Sequence, residues 1–460
     1  MSIPDNHNVE ATHTYYLIIP HADRYEYRVL VQQTDSHHWI LPAYQSEAAH
    51  FSAVAHINQF VAQMLGLFAV TLRCFHINGV DANHEERYYA LDNLHAEWDP
   101  PEGWYWLAED EIRNATFLVD HQRTTLFNWF SWCHSNSSRR SPWMRHGWYD
   151  LVANWMIDLA DRLALEDVGQ VEQVQVWTRA ATMRLPTSNG TLYLKAVSEI
   201  FNYEPVVTRL LSIRFPGYVP DVQAVHVDHG WMLMRDFGGT LLENITDLEI
   251  WKAVLRRFGE IQIDLVGDTQ SLISLGVPDR NVDYLSTQIA RIANDVPDDF
   301  SDQEAAELKM MASTMRSMCF DLVEHNVPLT MTHGDLRPNN IIVKEDGTVL
   351  FFDWSDAAIS HPFFDIPIFL TDVAQRFSEI PDAYDQLRDT YLETWSRYEP
   401  MINLRRVFQL AEVLGSLHQA LFYYVHILPA IEADTRWELQ NMLADLLRHS
   451  LQAAKEFRRK

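Results

Sequence analysis

Two short apolar runs in the C-terminal half of the chain flank a polar turn. Residues 341–343 are Ile-Ile-Val, residues 349–352 are Val-Leu-Phe-Phe, and Glu345-Asp346-Gly347 lies between them. Two strand-forming runs around such a turn predict a β-hairpin. Because the strands of a hairpin are antiparallel, Asn340 before the first run and Asp353 after the second should lie at the same end.

Longer patterns predict the elements around this hairpin. Residues 190–197 alternate as a strand does, and residues 230–239 form an apolar strand that ends in a turn. Residues 148–165 have helical spacing, with one face formed by Leu151, Trp155, Leu159 and Leu163. From residue 384 to residue 459 helical spacing recurs, as in Leu410, Val413, Leu414, Leu417 and Leu421.

The segment before the hairpin carries the candidate chemistry. It reads His333-Gly334-Asp335, followed by Leu-Arg-Pro-Asn and then Asn340. Phosphoryl transfer needs a carboxylate that accepts the proton of the acceptor hydroxyl, oxygen ligands for Mg²⁺ and positive charge on the phosphates. Asp335 fits the base, and Asn340 and Asp353 supply oxygen atoms of the kind that Mg²⁺ prefers.

The order of these residues is shared with protein kinases, but two details differ. Position 334 is Gly instead of the usual Arg, and Asp353 is followed by Trp354-Ser355 instead of Phe-Gly. The motifs resemble the aminoglycoside phosphotransferase family of small-molecule kinases, which includes choline, fructosamine and homoserine kinase-like enzymes. An ordinary polar turn followed by a capped strand end is the alternative, and it must account for both motifs at this separation.

The resemblance implies a function. An enzyme of this family would need Mg²⁺ and ATP or GTP, and it would phosphorylate a hydroxyl of a small molecule such as an aminoglycoside, an amino-sugar, a choline-like molecule or an amino-alcohol. Two alternatives stay open: a protein-directed kinase of the same fold, and a sensor that binds nucleotide without turnover.

The resemblance also assigns residues upstream. Lys195, in the alternating strand, matches the lysine that contacts the nucleotide phosphates, and Glu204 matches the glutamate that pairs with it. Residues 230–239 match the hinge whose backbone binds the base. In ordinary proteins a strand lysine is often an exposed edge residue, and a glutamate at a helix start serves the helix dipole. Residues 175–184 lack the glycine-rich loop of protein kinases.

Downstream, Asp365 matches a family aspartate that supports the catalytic loop, and a plain helix N-cap is the alternative. The family builds much of its acceptor pocket from C-terminal helices. The candidates there are Glu412, His418, Gln419, Tyr423, Tyr424 and His426, although helix packing accounts for most of the aromatic residues.

The first part of the chain resembles the frame of a Nudix fold. The matching segments are residues 15–20, 27–32, 39–42, 49–67 and 103–112. When the Nudix motif is anchored on Gly66-Leu67, its acidic positions fall on Phe51, Phe60, Gln63 and Met64. The metal-binding carboxylates are therefore missing, and we expect no pyrophosphate hydrolysis. Such a degenerate domain could bind a ligand, pack on the kinase or mediate dimers.

These patterns predict an α+β fold. An N-terminal Nudix-like α/β/α domain (1–134) is followed by a polar linker (135–142). A two-lobed protein-kinase-like fold then comprises an N-lobe with a preceding helix (143–238) and a C-lobe with a helical substrate subdomain (239–460). A chain of 460 residues is long enough for two or three domains.

Composition narrows the setting. Three cysteines, far apart and odd in number, argue against a disulfide framework, and the polar N-terminus has no signal-peptide pattern. We therefore expect a cytoplasmic protein. The formal net charge of −27 argues against nucleic acid or an anionic membrane as partner. It would favour a cationic acceptor, although solubility alone accounts for such a charge. The oligomeric state stays open.

Overall fold

The computed structural model describes residues 12–23, 26–47, 49–81, 83–296, 300–439 and 442–459. The chain forms two compact units. Unit 1 comprises residues 1–198 and 431–438, and unit 2 comprises residues 199–430 and 439–460. The domain boundaries given above remain predictions from the sequence, and the predicted linker at 135–142 lies within unit 1.

Unit 1 contains three groups of paired strands. Its strands are β1 (Thr12–Ile18), β2 (Arg28–Gln33), β3 (Trp39–Ile40), β4 (Ala43–Glu47), β5 (Ala69–Asp81), β6 (His84–Asn93), β7 (Trp104–Ala108), β8 (Glu172–Val176), β9 (Ala180–Leu185) and β10 (Leu192–Val197). One sheet has the order β4-β1-β6-β5, with β1 and β6 parallel, and another has the antiparallel order β3-β2-β7. Strand β9 pairs antiparallel with both β8 and β10. The predicted strand at 190–197 is therefore present as β10.

The helices of unit 1 are α1 (Ala55–Leu65), α2 (Glu109–Asn114), α3 (Asp120–His134) and α4 (Trp148–Arg162), with 3₁₀-helices at Pro142–Met144 and Ala433–Leu439. Helix α1 ends at Gly66, whose φ of 60° lies in the left-handed region that favours glycine. Several of these elements occupy the segments of the Nudix-like pattern, and the resemblance to that fold remains a prediction.

Helix α4 forms where the sequence predicts it, but a different face is buried. Val152, Met156 and Ala160 are inaccessible to solvent, whereas Leu151 is 50% and Leu163 is 39% exposed. The buried face begins with the large side chains of Trp148 and Tyr149, which outweigh the leucine stripe in apolar area.

Unit 2 contains the hairpin and most of the helices. Its strands are β11 (Val222–His226), β12 (Trp231–Arg235), β13 (Thr240–Leu241), β14 (Thr330–Thr332), β15 (Ile341–Val343), β16 (Val349–Phe351) and β17 (Ala358–Ser360). Its helices are α5 (Glu204–Arg214), α6 (Leu248–Asp264), α7 (Thr269–Ser274), α8 (Val282–Asn294), α9 (Asp302–Val323), α10 (Ile366–Phe369), α11 (Val373–Arg376), α12 (Ala383–Thr394), α13 (Met401–Phe422), α14 (Leu428–Ala430) and α15 (Met442–Arg459).

Short turns of helix join these elements. The 3₁₀-helices are Glu199–Phe201, Val227–His229, Leu242–Asn244, Val266–Asp268, Pro338–Asn340, Trp354–Asp356 and Pro362–Asp365, and a π-helical turn spans Tyr423–Ile427. Two of them, Pro338–Asn340 and Trp354–Asp356, adjoin the hairpin and carry residues of the candidate site.

The predicted hairpin is confirmed. Strands β15 and β16 pair antiparallel, with Ile341 opposite Phe351 and Val343 opposite Val349. Gly347 in the connecting turn has a φ of 81°, and Thr240 of β13 pairs with Val343 on the other edge. The hairpin therefore ends with Asn340 and Phe352 side by side.

The helical C-terminal region is also present. Helices α12, α13 and α15 fall within the predicted stretch, and the leucines that predicted α13 are buried in the core of unit 2. The mixed α+β class is thus confirmed. Within the described ranges, none of the helices combines the length and apolar character that crossing a bilayer would need.

Candidate active site

The catalytic loop begins after β14 and makes a turn that requires glycine. Gly334 has a φ of 80°, and a Cβ atom at this position would lie 2.1 Å from the main-chain oxygen of Asp356. Glycine therefore allows the loop to approach the segment that follows Asp353. This contact accounts for the absence of the arginine that protein kinases carry here.

The side chain of Asp365 accepts hydrogen bonds from the main chain of the catalytic loop. Its Oδ2 accepts hydrogen bonds from the main-chain N of His333 (2.9 Å) and from Gln262 Nε2 (3.1 Å), and its Oδ1 accepts one from the main-chain N of Gly334 (2.8 Å). Asp365 also occupies the N-cap position of α10, as the alternative predicts, but its side chain makes no capping hydrogen bond to that helix. Burial raises the pKa of Asp365 to about 7, against the opposing effect of the two main-chain donors.

Both carboxylate oxygens of Asp335 are oriented by neighbours in the loop. Arg337 Nε donates to Oδ1 (2.8 Å), and Asn340 Nδ2 donates to Oδ2 (3.2 Å) and to the main-chain oxygen of Asp335 (2.9 Å). Burial lowers the pKa of Arg337, whereas the Asp335 carboxylate and other nearby acidic groups raise it, and the net shift is upward. Arg337 was not among the residues that the sequence singled out, although its place two residues after Asp335 in the motif was a signal.

Asn340 and Asp353 flank the two strands at the same end of the hairpin. The main-chain N of Phe352 donates to the main-chain oxygen of Asn340 (3.1 Å), which brings Asp353 next to it along the chain. Ser355 Oγ donates to Asp353 Oδ1 (2.8 Å). Asp353 itself has a φ of 66°, a left-handed conformation that is uncommon outside glycine.

These two residues fit a magnesium ion. Because the amide nitrogen of Asn340 is directed to Asp335, its Oδ1 is the group left to face a metal. Together with the Asp353 carboxylate it gives two oxygen ligands, and nucleotide phosphates and water complete such sites. In the described part of the chain, no cluster of three or more His, Cys, Asp or Glu side chains is arranged to hold a metal. The donor set therefore suits a metal that arrives with a nucleotide.

The residue after Asp353 packs into the same site. Trp354 is buried, its Nε1 donates to the main-chain oxygen of Phe351 (3.1 Å), and its ring lies 4.7 Å from that of His333. His333 Nε2 lies 3.0 Å from the main-chain oxygen of Phe352. The tryptophan thus supports the loop histidine at a position where protein kinases carry phenylalanine.

The two remaining predicted residues lie in different units. Lys195 is half-buried on β10 of unit 1, opposite Thr182 of β9. Glu204 is the first residue of α5 in unit 2 and is fully buried. Their pairing with each other and with nucleotide phosphates stays a prediction.

The predicted hinge and pocket residues have defined places in unit 2. After β12, Gly239 has a φ of 85°, and a Cβ atom there would lie 2.6 Å from the main-chain oxygen of Val343. Gln419 Nε2 donates to the main-chain oxygen of Gly334 (3.2 Å), and His418 Nε2 lies 2.9 Å from that of Arg280. Gln419, one of the predicted pocket residues, therefore contacts the catalytic loop.

Other pocket candidates lie on different surfaces. Glu412 accepts from Tyr384 Oη (2.5 Å) and lines a cavity of 510 Å³ between α12, α13 and α15. His426 Nε2 lies 3.0 Å from Tyr284 Oη, and Tyr424 hydrogen-bonds Asp295.

Comparison with known proteins bears on this site. Residues 207–401 match the sequence model of the phosphotransferase enzyme family. The matched range contains Asp335, Asn340 and Asp353, and it begins after Lys195 and Glu204. No curated protein sequence matches the chain.

Solved structures with similar backbones are kinases and phosphotransferases. They include the ethanolamine kinase of Plasmodium vivax (12% identity, TM-score 0.44, 76% of this chain and 93% of that chain). The choline kinase of Streptococcus pneumoniae has 12% identity and a TM-score of 0.43, covering 66% of this chain and 99% of that chain. The macrolide 2′-phosphotransferase of Brachybacterium faecium has 16% identity and a TM-score of 0.40, covering 63% and 97%. At such low scores these likenesses carry no argument, and the assignment to a family rests on the sequence match.

Proposed function

Residues 207–401 belong to the phosphotransferase enzyme family, and on that premise we propose that the protein transfers the γ-phosphoryl group of ATP or GTP to a hydroxyl of a small molecule. Membership confirms the family that the motifs predicted and the expectation of a phosphotransferase. The nucleotide, the acceptor and the roles of single residues belong to the proposal.

The arrangement around Asp335 is the observation that carries it. Arg337 and Asn340 orient the two oxygens of this carboxylate, and Asn340 and Asp353 stand at one end of the hairpin. Phosphoryl transfer depends mainly on such positioning and on compensation of charge.

Each residue then has a role. Asp335 accepts the proton of the acceptor hydroxyl as the hydroxyl oxygen bonds to the γ-phosphorus, while the bond from the γ-phosphorus to the β–γ bridging oxygen breaks and the nucleoside diphosphate leaves. Asn340 and Asp353 would hold Mg²⁺, and a bound metal would supply positive charge to the phosphates. Lys195 contacts the phosphates and Glu204 positions Lys195. The backbone after β12 binds the base, within a two-lobed kinase-like fold.

The acceptor is proposed to be a small hydroxyl compound, with a preference for cationic molecules. The net charge of −27 raises the local concentration of cations around the protein. Aminoglycosides, amino-sugars, choline-like amines and amino-alcohols are candidates of this chemistry. A Nudix-like frame without hydrolytic activity for residues 1–134 and a cytoplasmic location complete the proposal.

The proposal is tested by searching for a product. The full chain is incubated with Mg-ATP or Mg-GTP and a pool of these four acceptor classes, and mass spectrometry detects addition of a phosphoryl group. We expect one class to gain phosphate with the wild type and not with Asp335→Ala. Binding of Mg-ATP without any product would favour the sensor, and phosphate on a polypeptide alone would favour a protein kinase.

A further inference from the structure

The turn that follows Asp353 is held by two side chains from distant parts of unit 2. Tyr203 Oη donates to the main-chain oxygens of Ser355 (2.5 Å) and Ala357 (3.1 Å). Arg280 Nη2 donates to the main-chain oxygens of Asp356 and Ala357, the second at 3.3 Å. All three consecutive carbonyls of residues 355–357 are therefore fixed from outside the turn.

Both side chains are buried, at 7% exposure for Tyr203 and 3% for Arg280. The Arg280 guanidinium lies 3.9 Å from the centre of the Phe422 ring. The main-chain oxygen of Arg280 accepts a hydrogen bond from Ser360 Oγ (2.8 Å). Burial of a guanidinium carries a large desolvation cost. A charge placed there to hold main-chain carbonyls points to a need for an accurate position at this turn.

The turn connects the two halves of the candidate site. Ser355 Oγ donates to the Asp353 carboxylate, and the Asp356 carbonyl is the atom that would clash with any side chain at position 334. A shift of the turn would therefore move Asp353 and would also change the contact between the Asp356 carbonyl and Gly334 of the catalytic loop. In addition, Asp353 has a left-handed φ of 66°, which side chains rarely adopt, so contacts around the turn help to hold this conformation.

We propose that Tyr203 and Arg280 are positioning residues for Asp353: they fix the turn at residues 354–357 and thereby the metal-binding carboxylate. The inference rests on the proposed role of Asp353 as a magnesium ligand. Neither residue touches the reacting groups, so each acts through the main chain of the turn.

The test uses Tyr203→Phe, which removes the hydroxyl and keeps the buried ring. The matched control is Tyr149→Phe in unit 1, whose hydroxyl also donates to a main-chain oxygen, that of Val171 (2.6 Å), from a buried position. Amide hydrogen exchange in residues 353–358 is measured on the full chain, together with the Mg²⁺ concentration needed for half-maximal ATP binding.

We expect exchange in residues 353–358 to rise about tenfold in Tyr203→Phe, because the buried hydroxyl that two carbonyls of the turn share as donor is lost. The Mg²⁺ requirement for ATP binding should rise by about the same factor, while binding of ATP without Mg²⁺ stays unchanged. Tyr149→Phe should alter neither quantity. Arg280→Lys, which keeps the charge, should give a smaller increase than Arg280→Met.

Two results separate this inference from the proposed function. Unchanged exchange in residues 353–358 of Tyr203→Phe would overturn the inference, even if the wild type turned over substrate. If exchange rises in Tyr203→Phe but the wild type shows no Mg²⁺-dependent ATP binding, the proposed metal site is refuted. The role of Tyr203 and Arg280 as positioning residues for a metal ligand is then refuted with it.

Discussion

At the scale of single residues, we propose Asn340 and Asp353 as the magnesium ligands. Ser355 Oγ donates to the Asp353 carboxylate, and Asp353 follows Phe352, whose main-chain N donates to the main-chain oxygen of Asn340. Asp353→Ala should therefore weaken Mg²⁺-dependent ATP binding by at least about tenfold, since a charged ligand is lost. Calorimetric titration with and without Mg²⁺ measures this, with Asp346→Ala in the hairpin turn as control. Equal Mg²⁺ dependence in the two variants would refute the assignment.

We expect the contribution of Asp365 to the stability of the folded protein to depend on pH. Burial raises its pKa to about 7 in the folded protein, whereas an unfolded aspartate titrates near pH 4. The folded state therefore binds this proton more tightly than the unfolded state does. The stability that it contributes is complete below about pH 4 and is lost as the pH rises through about 7.

The variant Asp365→Asn cannot titrate, so the difference in Tm between wild type and variant should fall as the pH rises from about 4.5 to about 8. Thermal melts of both proteins at several pH values measure it. A constant difference would show that Asp365 does not titrate in this range.

Local motifs revealed some of these residues and not others. Asp335, Asn340 and Asp353 could be predicted because their order along the chain is itself the signal. Tyr203 and Arg280 contact the turn at residues 354–357 across separations of 152 and 76 residues. No periodicity or short motif encodes such contacts, because they arise when helices and loops pack.

At the scale of elements, the close approach of the catalytic loop to the turn after Asp353 depends on Gly334. Gly334→Ala should lower turnover about 10²-fold, because the added Cβ would lie 2.1 Å from the Asp356 oxygen and displace the loop. Gly347→Ala is a matched control, since its φ of 81° is almost the same and nothing lies within 4 Å of the added atom. It should cost about 1 kcal/mol of stability and leave turnover unchanged. Steady-state kinetics that treat the two variants alike would contradict this account of the loop.

The sequence predicted elements correctly where polar turn residues separate runs of regular apolar spacing. The hairpin β15–β16 has a turn with a glycine, and both strands are buried. For α4 the same reasoning gave the helix but not its packed face, because an aliphatic stripe says nothing about which neighbours are present. The small Ala160 and the flexible Met156 face the core there, while Leu151 faces solvent.

At the scale of the whole molecule, a late segment of the chain belongs to unit 1. Two arginines connect residues 431–438 to unit 1: the buried Arg73 donates from Nη1 to Asp434 Oδ2 (2.9 Å), and the partly buried Arg140 donates from Nε to Glu432 Oε1 (3.2 Å). The return of this segment to unit 1 cannot be predicted from sequence patterns, because the paired charged residues lie hundreds of positions apart. The prediction of consecutive domains does not include it.

Arg73→Met should therefore destabilise unit 1 by about 1–3 kcal/mol, a range reduced because the Asp434 side chain is half exposed. Denaturant titration of the full chain, with hydrogen exchange in β5 to locate the loss, measures this. Arg113→Met, which breaks a surface pair with Glu109, should change stability by less than about 0.5 kcal/mol. If Arg73→Met proved equally mild, the segment would not depend on this ion pair.

We propose that Asp335 is the base of a phosphoryl transfer. The decisive experiment is the single-turnover rate of Asp335→Ala, measured at saturating Mg-ATP on the acceptor that the wild type phosphorylates. We expect a rate at least about 10²-fold below that of the wild type, because a general base is lost. We also expect an affinity for Mg-ATP within about twofold of the wild type, since Asn340 and Asp353 remain. Equal rates in variant and wild type would contradict this proposal.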